Sequence, residues 1–321
     1  MPRQFNDGCQ SPLHRGLPET QMIRLLNRSI LCTTVFLALT WCAFAQAPEK
    51  KTIELLGQKI VYLEAGTSGP TVILLHGLGG DSSNWALTIP ALAKTHHVFA
   101  VDQIGFGASD KPQINYSIQT YVEFLDRFCK KLAIGKTSLV GNSLGGWIAA
   151  SYTLAHPEVV EKLVIVDGAG FSPKRWNGPP TDRNVMMQLN PSTVEGTKKL
   201  MNYILANKSM ITDQAAEQML AQKLKKGDGY TINAIIDAIA RGEEFLDGKL
   251  GTVKAPTLVV WGKEDLLTPL AMGQAYAEDI KGAELKVIEN CGHVPMLEAS
   301  SKFNQILSGF LAQSGSSAAG K

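Results

Sequence analysis

The sequence predicts an α/β protein: a mostly parallel sheet with helices on both faces, interrupted once by a helical insertion. Three observations carry that expectation. Short, continuous apolar runs such as Thr71–Leu75 recur along the chain, as strands covered on both faces require. Segments with apolar residues at three- and four-residue steps lie between these runs. The stretch from Gly170 to Thr252 holds only helical patterns. The 321 residues are about twice a typical ~150-residue domain, which suits one large domain carrying an insertion. Apolar residues at 45% and charged residues at 19% are globular proportions, so a disordered or collagen-like chain is excluded.

Residues 1–45 read as a leader. Arg24 and Arg28 precede a mostly apolar run over 30–42, and Ala43-Phe44-Ala45 follows, then a polar Gln46. A basic start, a run shorter than the ~20 apolar residues of a bilayer span and a small-x-small site describe a secretory signal peptide cleaved near Ala45-Gln46. Met22 is the expected start. The mature protein is expected to be exported, to the periplasm or outside the cell. An uncleaved anchor is the alternative, and only then would a membrane be a partner. The leader holds Arg3, Arg15, Arg24 and Arg28 against Asp7 and Glu19, so the remaining chain carries 27 basic and 27 acidic residues. A balanced mature chain gives no reason to expect a nucleic-acid partner. Only Cys129 and Cys291 lie beyond the leader, either as two thiols or as one bridge.

The elements follow in order. Residues 52–56 and 59–63 flank Gly57-Gln58 as a hairpin. Thr71–Leu75 and 98–101 are the next strands. Ser117 caps a helix whose stripe is Ile118, Tyr121, Val122, Leu125, Phe128 and Leu132. Strand 137–140 leads into an Ala-rich helix over 144–154, and strand 163–166 follows. In the insertion, Ile232, Ile235, Ile236 and Ile239 sit at i, i+3, i+4 and i+7. Val194 to Leu205 and Met219 to Leu224 suggest two more helices. Lys223, Lys225 and Lys226 read as a solvated helix end. Strands 257–260 and 285–288 and a helix over 301–311 close the chain. The core is therefore assigned to 46–170 and 253–313, the insertion to 171–252 and a disordered tail to 314–321.

The chemistry centres on Gly141-Asn142-Ser143-Leu144-Gly145, between a strand and a helix. G-x-S-x-G at that position is a nucleophile elbow, in which Ser143 is lifted out of the sheet and Gly141 and Gly145 leave room for the turn. A serine nucleophile needs a base, and the base needs an orienting acid. Active sites of open α/β sheets lie beyond the carboxyl ends of strands. Of the histidines, His76 and His293 meet that condition. His293 is the expected base, and His76 with Gly77 is expected to brace the loop. His96 and His97 lie at the start of a strand, and His156 at a helix end. Asp265, just past strand 257–260, is the expected acid, with Asp167 as its rival past strand 163–166. The N–H groups of Leu78 and Leu144 are the expected oxyanion donors. Asp102 is expected to pin its loop to Ser109. The glycines of 77–80 lack a following Lys-Ser/Thr, so no phosphate cradle is read there, and Gly105-Phe106-Gly107 lacks the third glycine of a dinucleotide fingerprint. No H-E-x-x-H or C-x-x-C occurs, so no metal and no cofactor are expected.

LLHGLGG (74–80), DQIGFGASDKP (102–112), VGNSLGG (140–146), PTLVVWGKED (256–265) and CGH (291–293) stand in one order and spacing. Over roughly residues 52–313 the chain resembles the α/β-hydrolase family. The resemblance implies an eight-stranded, mostly parallel sheet, a helical cap formed by the insertion, and a Ser143–Asp265–His293 triad. DQIGFGASDKP with VGNSLGG looks like the hydrolases that cleave C–C bonds in ring-fission products. Those usually carry Ser-Gly-Pro-Gly after the HG and an aromatic residue after the catalytic histidine. Here Leu78-Gly79-Gly80 and Val294 stand instead. The expected reaction is hydrolysis of carboxylic esters of small or medium apolar substrates through an acyl-enzyme on Ser143. C–C hydrolysis by the same triad is the alternative, and a non-catalytic ligand-binding protein is a third reading. Five of nine methionines fall in the insertion, and they are expected chiefly to pack it on the core. Trp147 is expected in the core and Trp85 near the entrance.

Overall fold

The structure, a computed structural model, describes residues 47–179 and 182–313. The leader and the tail 314–321 lie outside the described residues. Eight strands form one sheet: β1 (Glu49–Leu55), β2 (Gln58–Ala65), β3 (Thr71–Leu75), β4 (His97–Asp102), β5 (Thr137–Asn142), β6 (Val160–Val166), β7 (Thr257–Gly262) and β8 (Glu284–Ile288). Their order is β1-β2-β4-β3-β5-β6-β7-β8. The β1–β2 and β2–β4 pairs are antiparallel, and every other pair is parallel. The expected mostly parallel architecture is thus present, with every strand end within three residues of the expected one.

The continuous apolar runs have a simple cause. Successive strand residues point to opposite faces, and both faces are covered. Ile73, Leu75, Leu139, Leu163, Ile165 and Val259 enter one buried cluster. Val72, Leu74, Val140, Val164, Val166, Leu258 and Val260 enter the other. The first face is covered by α1 (Ile118–Lys131) and α2 (Leu144–Ala155). The insertion supplies α3 (Val194–Ile204), α4 (Asp213–Lys226) and α5 (Gly229–Ala240), and α6 (Leu270–Asp279) follows β7. The last helix, α7 (Ser300–Ala312), packs Phe303, Leu307 and Phe310 on the second face.

Local chemistry places these elements. Ser117 caps α1 by accepting from Thr120 N–H, and the Thr120 hydroxyl accepts from Ser117 N–H in return. Glu244, at the end of the insertion, adds acceptors for the N–H groups of Ile118 and Gln119 at 2.7 and 3.0 Å. A carboxylate at a helix N-terminus is favourable, and here it ties the insertion to the core. Phe171, Leu246 and Leu250 at the insertion's ends are buried in the first cluster. Trp147 is buried as expected. Trp85 departs from expectation: it is fully buried against Phe303 on the second face, because the short helical turn Ser82–Trp85 folds inward there. Cys129 and Cys291 are both free and buried. Among the described residues no helix is long and apolar enough to cross a membrane.

Candidate active site

The central strand β5 runs directly into Ser143, whose backbone sits at φ 57°, ψ −119°. A non-glycine residue in that region is strained, and such strain persists only where the surroundings fix it. Here they do. Ser143 N–H donates to Val166 O at 3.0 Å, and Ser143 O accepts from Gly146 and Ala169 N–H. A Cβ on Gly141 would collide with Gly145 O, and one on Gly145 would collide with Leu75 O. The turn therefore requires glycine on both sides, for the reason the sequence suggested. Leu144 is the first residue of α2, so its N–H has no acceptor within the helix.

The turn after β3 faces this elbow. Its shape is held by Gly80 N–H donating to Gly77 O at 3.0 Å. His76 is completely buried and edge-on to Phe106. Its Nε2 accepts from Gln103 N–H at 3.1 Å, so the proton lies on Nδ1 and is donated to Gly77 O at 2.8 Å. Burial pushes the ring's pKa below its ordinary value, despite the opposing Gly77 bond and nearby Asp102. His76 is thus a neutral brace in the loop that carries Leu78. Asp102 accepts from Ser82 and Ala108 N–H with its side chain, and its carbonyl accepts from the Ser109 hydroxyl.

Asp265 follows β7 and His293 follows β8. His293 Nδ1–H donates to Asp265 Oδ2 at 2.7 Å, so in the neutral tautomer Nε2 is the nitrogen without a proton. Asp265 Oδ1 accepts from the N–H groups of Leu267 and Thr268 at 2.8 and 3.0 Å. The Thr268 hydroxyl lies 2.6 Å from Asp265 Oδ2, 3.0 Å from Asp167 O and 3.1 Å from His293 Nδ1. It has one proton, and the carboxylate is the strongest acceptor of the three. His293 is 4% exposed and Asp265 3%, so their pairing is shielded from water. The imidazole's own backbone is pinned twice. Its N–H donates to Ile204 O at 2.7 Å, and its carbonyl accepts from Asn142 Nδ2 at 3.0 Å.

Ser143, His293, Gly77, Leu78 and Leu144 line one cavity of about 800 Å³. Asp265 stands behind His293, and His76, Gly141 and Gly145 stand behind the elbow and its facing loop. The walls are chiefly apolar, with Trp147, Phe171, Trp176, Leu189, Ile232 and Ile235 among them. Met186, Met201 and Met219 of the insertion also face the space, whereas Met187 packs on the core and Met210 is exposed. Two of the three lysines read as a solvated helix end are otherwise placed. Lys223 and Lys226 line the cavity. Lys226 pairs with Asp81 at 2.7 Å and donates to Gly79 O at 3.2 Å. Burial alone would raise Asp81, but Lys226 and Ser83 outweigh it and hold the carboxyl at about 2.

Several supporting residues were not singled out in the sequence. Thr268 is one. Its signal is an acidic residue followed by hydrogen-bondable N–H groups two and three positions on, the Asx-turn pattern of Asp265-Leu266-Leu267-Thr268. Glu298 is another, and it accepts from the N–H groups of Ala206, Asn207 and Gly292, joining the end of α3 to the His293 loop. No local pattern marks that contact, which spans 92 residues.

A family model described as alpha/beta hydrolase fold matches residues 70–300. A 2-hydroxy-6-oxononadienedioate/2-hydroxy-6-oxononatrienedioate hydrolase of Paraburkholderia phymatum is 32% identical over 264 residues, covering 79% of this chain and 91% of the relative. Among solved structures, a meta-cleavage product hydrolase from Pseudomonas fluorescens IP01 superposes with a TM-score of 0.73 at 29% identity, covering 81% of this chain and 97% of that one. An N-acyl homoserine lactone degrading enzyme superposes with a TM-score of 0.68 at 30% identity, covering 81% and 100%.

Proposed function

The chain belongs to the alpha/beta hydrolase fold family, and from that premise we propose that it hydrolyses a carbon–carbon bond beside a carbonyl, in a vinylogous diketone of the ring-fission type. The curated relatives carry this reading over the ester hydrolysis that the sequence alone favoured: proteins 30–32% identical over about nine-tenths of their length act on such compounds by name. In this reading Ser143 is the nucleophile, His293 the base and Asp265 the group that fixes the imidazole tautomer. His293 Nε2 takes the Ser143 proton as the hydroxyl oxygen adds to the carbonyl carbon. The N–H groups of Leu78 and Leu144 face the oxygen that becomes negative. The C–C bond then breaks, its electron pair is delocalised into the conjugated carbonyl fragment, and the imidazolium returns the proton to that fragment. Water, activated by the same imidazole, releases the acyl group as a carboxylic acid and restores Ser143.

Ester hydrolysis is the second reading, and one observation favours it. The walls are chiefly apolar and their cations are Lys223 and Lys226, the latter already paired with Asp81. Such a space suits an acyl chain, as does the likeness to a lactone-degrading enzyme. Both readings use the same three side chains and differ in the leaving group. The test is bleaching of a coloured ring-fission dienoate against turnover of p-nitrophenyl butyrate, by the wild type and by Ser143→Ala. Ser143-dependent bleaching at the higher kcat/KM is expected. Ester turnover without bleaching would assign the second reading, and equal rates for both proteins would remove Ser143 from the chemistry.

A further inference from the structure

Asp167, the rival acid of the sequence, lies at the site and takes no part in the mechanism above. It follows β6 directly, is completely buried, and holds a backbone φ of 45°. Its N–H donates to Val260 O at 3.0 Å, and its Oδ1 accepts from Gly262 N–H at 2.8 Å. Its Oδ2 is buried and has no hydrogen-bond partner among the described residues. A carboxyl oxygen of Asp167, one of Asp265 and a ring nitrogen of His293 all lie within 4.8 Å of one another. Two carboxylates that close, both out of water, repel too strongly for both to be charged. The hydrogen bonds say which keeps the charge. Asp265 accepts from Leu267, the Thr268 amide and hydroxyl, and His293, whereas the Asp167 side chain accepts only from Gly262.

The geometry points to Asp167 as a proton-holding positioning residue: a neutral carboxylic acid whose O–H faces Asp265, so that the pair carries one negative charge, on the carboxylate that orients His293. A proton on Oδ2 turns that buried oxygen from an acceptor with no donor into a donor. The remaining groups around Asp167 agree. Burial, and next the Asp265 charge, push its carboxyl well above the ordinary range, and Glu298 adds to the effect. Cys291 is buried nearby, where its thiol is likewise pushed up and stays neutral. Among the described residues no Lys or Arg forms a salt bridge with Asp167, and the charged groups that act on it most, Asp265 and Glu298, are acidic. A second negative charge beside an imidazole favours the imidazolium over the free base that the mechanism uses. The inference rests on the Asp265–His293 pair and on neither choice of substrate.

Asp167→Asn tests it, because the amide matches a neutral acid in shape, can still accept from Gly262 N–H and can donate toward Asp265. The readout is the pH dependence of fluorophosphonate labelling of Ser143, which needs the base and no particular substrate. With Asp167 neutral, the acid limb stays in place in the variant. With Asp167 ionised, removing its charge moves that limb down by about one pH unit or more, which overturns the inference. Should the variant not fold, neutron diffraction of the wild type decides. A deuteron on Asp167 and none on Asp265 is the expected result, and a bare Asp167 contradicts it. Absence of any labelling would count against the nucleophile assignment alone and leave the neutron result to judge Asp167.

Discussion

Ser143 shows how much of a site one residue's surroundings prescribe. Its φ of 57° is tolerated because Gly141 and Gly145 leave space and because Val166 O and Ala169 N–H hold its backbone. Gly145→Ala brings a Cβ onto Leu75 O, so an overpacking cost of about 1–3 kcal/mol in unfolding free energy is expected, measured by urea titration. Ser143→Ala leaves the packing intact. Activity should fall by about three orders of magnitude or more while the urea midpoint moves little. Thr268→Val keeps the shape and removes one donor to Asp265. The loss of about 1.5 kcal/mol or more for a hydrogen bond to a charged partner predicts a kcat lower by roughly tenfold or more with KM nearly unchanged, by steady-state kinetics. Ser143 was legible because its motif is local. Thr268 was less so, since its role depends on how the loop after β7 folds back on Asp265.

At the level of elements, the insertion is held over the cavity by apolar burial of Phe171, Ile236, Leu246 and Leu250 and by long-range polar contacts. Lys226 of α4 reaches Asp81 and Gly79, beside the turn that carries Leu78. A depressed carboxyl pKa stabilises the fold above the unfolded value and ceases to do so as pH falls through the folded value. For Asp81 these are 3.8 and about 2, so its contribution is complete above about pH 4 and fades between pH 4 and 2. In Lys226→Met that portion of the acid-induced loss should disappear, with lower stability at pH 5 and convergence with the wild type near pH 2, followed by thermal melts. Persistence of the full wild-type pH slope would dissociate the ion pair from stability. The sequence read Lys226 as a solvated residue because charge at a helix end is usually that. The partner lies 145 residues away, and nothing in the local pattern announces it. The helices themselves were legible, since the Ile232, Ile235, Ile236 periodicity records which side of α5 is buried.

For the whole molecule, the strand order explains why residues from distant segments meet. Parallel strands β3, β5, β6, β7 and β8 all point their carboxyl ends to one rim, and Leu78, Ser143, Asp167, Asp265 and His293 each follow one of them. That convergence was legible, because each of these residues follows its apolar run within five positions. The bond that is cleaved was not, because it depends on the shape of a cavity built by an insertion whose packing is set by tertiary contacts. The same rim serves either leaving group, and attack by Ser143 with His293 as its base is common to both readings. It is tested most directly by fluorophosphonate treatment followed by peptide mass spectrometry of the wild type and His293→Ala. One covalent adduct on Ser143 is expected, with labelling slowed by about two orders of magnitude or more in the variant. An unlabelled Ser143, or labelling indifferent to the loss of His293, would contradict it.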